Sequence, residues 1–148
     1  MQIDKAEIER RIPHAGAMNL LDSVIEWSAE RISCRAISHR DPCNPLRVNG
    51  TLYAISGVEY ASQAMAVHGA LSGGVAGRPR AGYLASLRDV VCRRATLDDT
   101  RDELTVYAES LTGDDTRVMY AFSVSAGDEE IITGRATVVL DISNLITY

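Results

Sequence analysis

The run from Gly50 to Ala70, GTLYAISGVEYASQAMAVHGA, most constrains what this chain can fold into. From Gly57 onward it is nearly all small or apolar (Val58, Ala61, Ala64, Met65, Ala66, Val67, Ala70), with no wide polar face at the helical period. A helix of that kind is buried on most sides. Inside it stand one carboxylate, Glu59, and one amide, Gln63, four residues apart and therefore on one stripe. A charge in such surroundings needs a partner, a shifted pKa or a function.

The rest of the chain supplies what that helix packs against. Asp4 to Ile12 alternates charges, with Ile3, Ile8 and Ile12 on one face, and Pro13 stops it; this is a short N-terminal surface helix. Met18 to Trp27 and Arg31 to His39 alternate apolar and polar around Ser28-Ala29-Glu30, a strand-turn-strand signal. Arg40 to Gly50 holds two prolines and a glycine and reads as a loop. After the helix, Ser72 to Pro79 is a glycine-rich connection. Ala81 to Arg93, Glu103 to Thr112, Arg117 to Ala126 and Glu130 to Ile142 then read as strands, the last three joined by short polar turns. One helix apolar nearly all round and about six antiparallel strands leave one economical packing, a sheet curled around the helix. The expected class is α+β, a single hot-dog domain over residues 1–148.

Composition narrows the function. A net charge of -5 argues against generic nucleic-acid binding. No apolar run approaches a membrane span, and the charged start MQIDKAEIERR is no signal-peptide core. Three cysteines without a C-x-x-C pair suggest reduced thiols in a cytoplasmic protein and no zinc site. There is no G-x-S-x-G, and Ser72-Gly73-Gly74 lacks the G-K-[ST] of a phosphate loop.

The residues also resemble a known family. Ile12-Pro13-His14-Ala15-Gly16-Ala17-Met18-Asn19-Leu20-Leu21-Asp22, Gly57-Val58-Glu59-Tyr60-Ala61-Ser62-Gln63-Ala64, and Gly82-Tyr83-Leu84-Ala85-Ser86-Leu87-Arg88-Asp89 resemble, in order, three motifs of bacterial 3-hydroxyacyl-[acyl-carrier-protein] dehydratases. Thr96 to Leu104 stands where those enzymes have a Pro-Gly-Asp-x-Leu turn. Within that group the sequence resembles the uncharacterised or aryl-polyene-type branch more than the housekeeping fatty-acid enzymes. The resemblance implies removal of water from a 3-hydroxyacyl thioester on an acyl carrier protein, or on coenzyme A, to give a trans-2-enoyl thioester. It implies no cofactor beyond the carrier's phosphopantetheine. It further implies a homodimer or larger even oligomer, or a heterodimer, with a histidine and a helix carboxylate facing each other across subunits. The backbone amide at the helix start, at Gly57, would polarise the thioester carbonyl.

Carried over residue by residue, Glu59 is the catalytic carboxylate and Gln63 its brace, while Pro13, His14, Gly57, Tyr83 and Leu84 line the substrate path. Glu59 has a plain alternative. Ser56-Gly57-Val58-Glu59 fits a capping box if the helix starts at Ser56, whereas a start near Thr51 puts Glu59 two turns inside. Gln63 alternatively bonds nearby backbone or water. The family's loop histidine is missing, since Cys43-Asn44-Pro45-Leu46-Arg47-Val48-Asn49-Gly50 contains none.

Of the three histidines, His68 lies two and a half turns from Glu59 and points away from it. His39, at the end of the second strand, is the expected acid/base partner or else a loop histidine. His14 is expected to line the tunnel and is the fallback acid/base. Arg78, Arg80, Arg88, Arg93 and Arg94 form a local basic excess that either steers an acidic carrier or is a solvated strand face. Thioester hydrolysis, or a silent carrier-binding subunit, are the other functions such a fold supports.

Overall fold

The computed structural model describes residues 3–12, 14, 16–72 and 82–140. Its frame is an antiparallel seven-stranded sheet: β1 (Ile3–Asp4), β2 (Ser23–Trp27), β3 (Arg31–Ala36), β4 (Gly82–Cys92), β5 (Leu104–Gly113), β6 (Arg117–Ala126) and β7 (Glu129–Leu140). Their order across the sheet is β1-β2-β3-β5-β6-β7-β4. Among the described residues two α-helices complete it, α1 (Lys5–Arg11) and α2 (Gly57–Ser72). This is the expected hot-dog arrangement with one strand more than the sequence suggested. β1 is two residues long, too short for any alternation to register.

Strand alternation places the core. Ile32, Cys34 and Ala36 on β3 stand opposite Ala108, Val106 and Leu104 on β5, which in turn face Phe122, Val124 and Ala126 on β6. All are buried and form one apolar layer. α2 lies on that layer, burying Tyr60, Ala61, Ala64, Met65 and Val67. Gly57 allows the close approach: a Cβ there would come within 2.6 Å of Ile132 Cγ2. The Asp4 side chain caps α1 by accepting the Glu7 N–H at 2.9 Å, and Ile8 is fully buried.

The loop before α2 is pinned as well. Val48 and Thr51 exchange two backbone bonds across Asn49 and Gly50, whose φ values of 52° and 81° are those of a tight Asn-Gly turn. Leu52 is fully buried and its carbonyl accepts the Leu97 N–H at 2.9 Å. A short 3-10 turn, Ala54–Ser56, leads into α2.

Among the described residues β4 sits at the sheet edge, hydrogen-bonded only to β7, and nearly every residue of it is exposed. Tyr83, Leu84, Leu87 and Val91 are large apolar side chains on that edge. No helix among the described residues is long and apolar enough to cross a membrane.

The thiols give a direct check of this core. Cys34 is buried between β2 and β5, and burial pushes its thiol up to about 12, whereas Cys43 and Cys92 are exposed. A thiol reagent is expected to label Cys43 and Cys92 in the native protein and Cys34 only after denaturation. Equal labelling of all three in the native state would contradict this packing.

Candidate active site

α2 presents Glu59 in its first turn, where the positive end of the helix dipole favours an anion. α2 begins at Gly57, one residue past the later of the two starts considered from sequence, and the 3-10 turn Ala54–Ser56 precedes it. The Ser56 N–H donates to the Tyr53 carbonyl at 3.0 Å, so a capping box with Glu59 is not needed there. The carboxylate instead faces side chains. Its Oε1 lies 3.1 Å from Nε2 of His14 and 3.2 Å from Nε2 of Gln63. The Glu59 side chain is about one-third exposed (34%) and that of His14 is 27% exposed, so the pair is open to a substrate.

Gln63 holds this arrangement together. Its Oε1 accepts the Leu20 N–H at 3.0 Å and its Nε2 donates to the Met18 carbonyl at 2.8 Å. Those two backbone partners settle which end of the amide is which. The remaining Nε2 hydrogen then points to Glu59. Gln63 is fully buried and ties the segment after His14 to the helix that carries Glu59.

Facing an ionised Glu59, which only accepts, His14 Nε2 is the donor. His14 Nδ1 is buried and has no hydrogen-bond partner among the described residues.

His39 is placed elsewhere. It is fully buried, its Nε2 lies 2.9 Å from the Asp102 carbonyl, and its own carbonyl accepts from Arg47 Nη2 at 2.9 Å. The adjacent Ser38 bonds the Tyr60 hydroxyl at 2.7 Å and the Leu20 carbonyl at 2.8 Å. This clamped loop turns the His39 ring toward residues 100–102, and the imidazole brought to Glu59 within the chain is that of His14. The pairing of His14 with Glu59 had no spacing signal, because forty-five residues separate them.

Burial lowers the His39 pKa from the ordinary 6.5; the Asp102 carbonyl acts against that, and Arg40 and Arg47 add to it. The unfolded chain therefore binds this proton more readily than the folded one. Its contribution to stability is complete above about pH 6.5 and is lost as pH falls toward the lower folded-state value. Melting curves between about pH 8 and pH 5 should show the protein losing stability more steeply than a His39→Gln variant. Parallel curves would show that His39 is not buried in its neutral form.

The remaining expected residues divide. The Gly57 N–H is already committed to the Ala54 and Ile55 carbonyls, and Ala54 N–H to Ala95. Both amides are thus hydrogen-bonded within the chain, and Gly57 also serves packing. Leu84 lines a cavity beside α2, whereas Tyr83 projects from the β4 edge, 62% exposed. Pro13, Arg78 and Arg80 lie outside the described residues.

His68, as its position on the helix implied, faces away from Glu59 and bonds Tyr120 Oη at 2.8 Å and the Ser28 carbonyl at 2.9 Å. Arg94 is paired with Glu129, and Arg88 borders a shallow depression with Arg117. The sequence reading missed the Gln63 contacts with Met18 and Leu20, which follow only from docking the N-terminal segment on α2.

This geometry can be set beside known proteins. No curated protein sequence matches the chain. Among solved structures, the dehydratase heterocomplex ApeI:P from Xenorhabdus doucetiae is similar, with 22% identity over 93% of this chain and 92% of that one, at a TM-score of 0.77. AziG from S. sahachiroi is also similar, at 14% identity, 88% and 98% coverage and a TM-score of 0.63. The thioesterase HI1161 from Haemophilus influenzae has 12% identity, 80% and 76% coverage and a TM-score of 0.60. These likenesses share the fold. The model of one family, described as ApeP dehydratase, matches residues 6–146, a span that takes in the His14 segment, the Glu59–Gln63 helix and all of β4 to β7. On that match the chain belongs to the ApeP-like dehydratase family.

Proposed function

We propose that this chain removes water from a 3-hydroxyacyl thioester carried on an acyl carrier protein, with Glu59 and His14 as the acid/base pair and Gln63 as their brace. The observation that carries the reading is the 3.1 Å contact between His14 Nε2 and Glu59 Oε1, made on a half-open surface at the start of a buried helix.

Dehydration needs two proton transfers on neighbouring carbons. One member of the pair takes the C2 proton, the electron pair forms the C2–C3 double bond, and the C3–O bond breaks. The other member protonates the departing hydroxide to water. The proton gained by the first and lost by the second are then exchanged through the short contact, which restores the pair. Both groups come from one chain, unlike the cross-subunit pair that the resemblance implied.

The exposed β4 edge, with Tyr83, Leu84, Leu87 and Val91 along a backbone that has no second strand beside it among the described residues, supports pairing with a second chain of the same fold. The similarity to a dehydratase heterocomplex favours a heteromeric partner over a second copy.

Incubation with 3-hydroxyacyl-, enoyl- and acyl-carrier protein tests the reading. Interconversion of the first two, with the acyl thioester left intact, is the expected result. Release of carrier thiol from the acyl form without dehydration would establish hydrolysis instead. Inertness toward all three, with and without a partner chain, would leave a carrier-binding subunit.

A further inference from the structure

Leu20 is gripped at both of its backbone groups. Its N–H donates to Gln63 Oε1 at 3.0 Å, and its carbonyl accepts from Ser38 Oγ at 2.8 Å. Ser38 opens the short 3-10 turn Ser38–Arg40, and its hydroxyl also lies 2.7 Å from that of Tyr60, the residue after Glu59 on α2. Tyr60 and Gln63 are three residues apart and so share a side of the helix. One helix therefore holds Leu20 twice, directly through Gln63 and by way of Tyr60 and Ser38.

The hydrogens of this cluster have one consistent arrangement. A carbonyl can only accept, so Ser38 spends its hydrogen on Leu20. The Tyr60 hydroxyl then donates to Ser38 Oγ. Asn44 Nδ2 donates to Tyr60 Oη at 3.1 Å and to the Ser38 carbonyl at 3.0 Å, while the Asn44 Oδ1 accepts the Leu46 N–H at 2.9 Å. Tyr60, Leu20 and Asn44 are all buried. Burial raises the Tyr60 pKa, although the bonds to Ser38 and Asn44 act against it, so the hydroxyl keeps its hydrogen. With each donor committed, the chain of bonds runs in one direction only, and the cluster is stiff.

Gln63 grips Met18 and Leu20 through one side chain, and a segment held by one side chain can pivot about it. The Ser38 bond comes from another part of the chain and removes that freedom. We propose that Ser38 and Tyr60 are positioning residues for the dehydration site, fixing the segment after His14 along α2 and thereby holding His14 within reach of Glu59. The inference rests on the reading of His14 and Glu59 as the acid/base pair. Proton transfer is sensitive to such placement: a misplacement of about 1 Å can cost about a hundredfold in rate.

Ser38→Ala and Tyr60→Phe in the full chain test this with two readouts. In native-state hydrogen exchange followed by NMR, the Leu20 amide is expected to exchange about tenfold faster in either variant, with the amide of Val106 on the central strand β5 little changed. On 3-hydroxyacyl-carrier protein, kcat is expected to fall about tenfold while KM stays where it was. Unchanged Leu20 exchange, or Leu20 and Val106 accelerating together as in a general loss of stability, would overturn the assignment. So would a loosened Leu20 with full kcat, and in each of these cases turnover by the unmodified protein keeps the acid/base pair standing. An unmodified protein that fails to dehydrate, alone and with a partner chain, would remove both.

Discussion

Glu59→Gln is expected to slow dehydration by about a hundredfold to ten-thousandfold, the usual worth of a positioned acid or base. The substitution is nearly isosteric. Its amide oxygen still accepts from Gln63 and His14, so the melting temperature should hardly move and the loss is chemical. His14→Gln should have a comparable effect, and the double variant should be little worse than either single one, because the two groups act as a unit. Steady-state rates on 3-hydroxyacyl-carrier protein give all three values. Full turnover by Glu59→Gln, or clean additivity of the two substitutions, would remove the pair from the mechanism.

The second large effect is structural and is expected at Gln63. In Gln63→Leu the Leu20 N–H, on a fully buried residue, loses its acceptor and the Met18 carbonyl loses its donor. An orphaned buried amide costs about 1–3 kcal/mol, and the lost bond to Met18 adds to it. A net loss of about 3 kcal/mol corresponds to roughly 6–12 °C in a domain of this size. Turnover should fall as well, since the segment that follows His14 is no longer held to α2. A melting temperature unchanged within a degree or so would mean that the amide is not the clamp described.

Much of this arrangement was legible in the residues. The run after Gly57 has no polar face, so a helix buried by a sheet was its one economical placement. The sheet strands announced themselves by alternation, β6 with its observed bounds and the others within a few residues. β1 did not, because two residues carry no period. The partner of Glu59 was legible only as a choice, with His39 expected first and His14 as the fallback. His39 stands at the end of a strand just ahead of the helix and looked suited by position. Yet Ser38 on one side and Arg47 on the other anchor that loop, and the ring turns to Asp102.

By itself, then, the sequence determined the elements, their order and the single carboxylate on the central helix, because hydrophobic periodicity and turn chemistry are local properties. The tertiary structure alone decided which imidazole meets that carboxylate within the chain and that Gln63 ties Met18 and Leu20 to α2. Each of these depends on where long-range packing leaves a hydrogen-bonding group without a local partner, and sequence spacing carries no record of that.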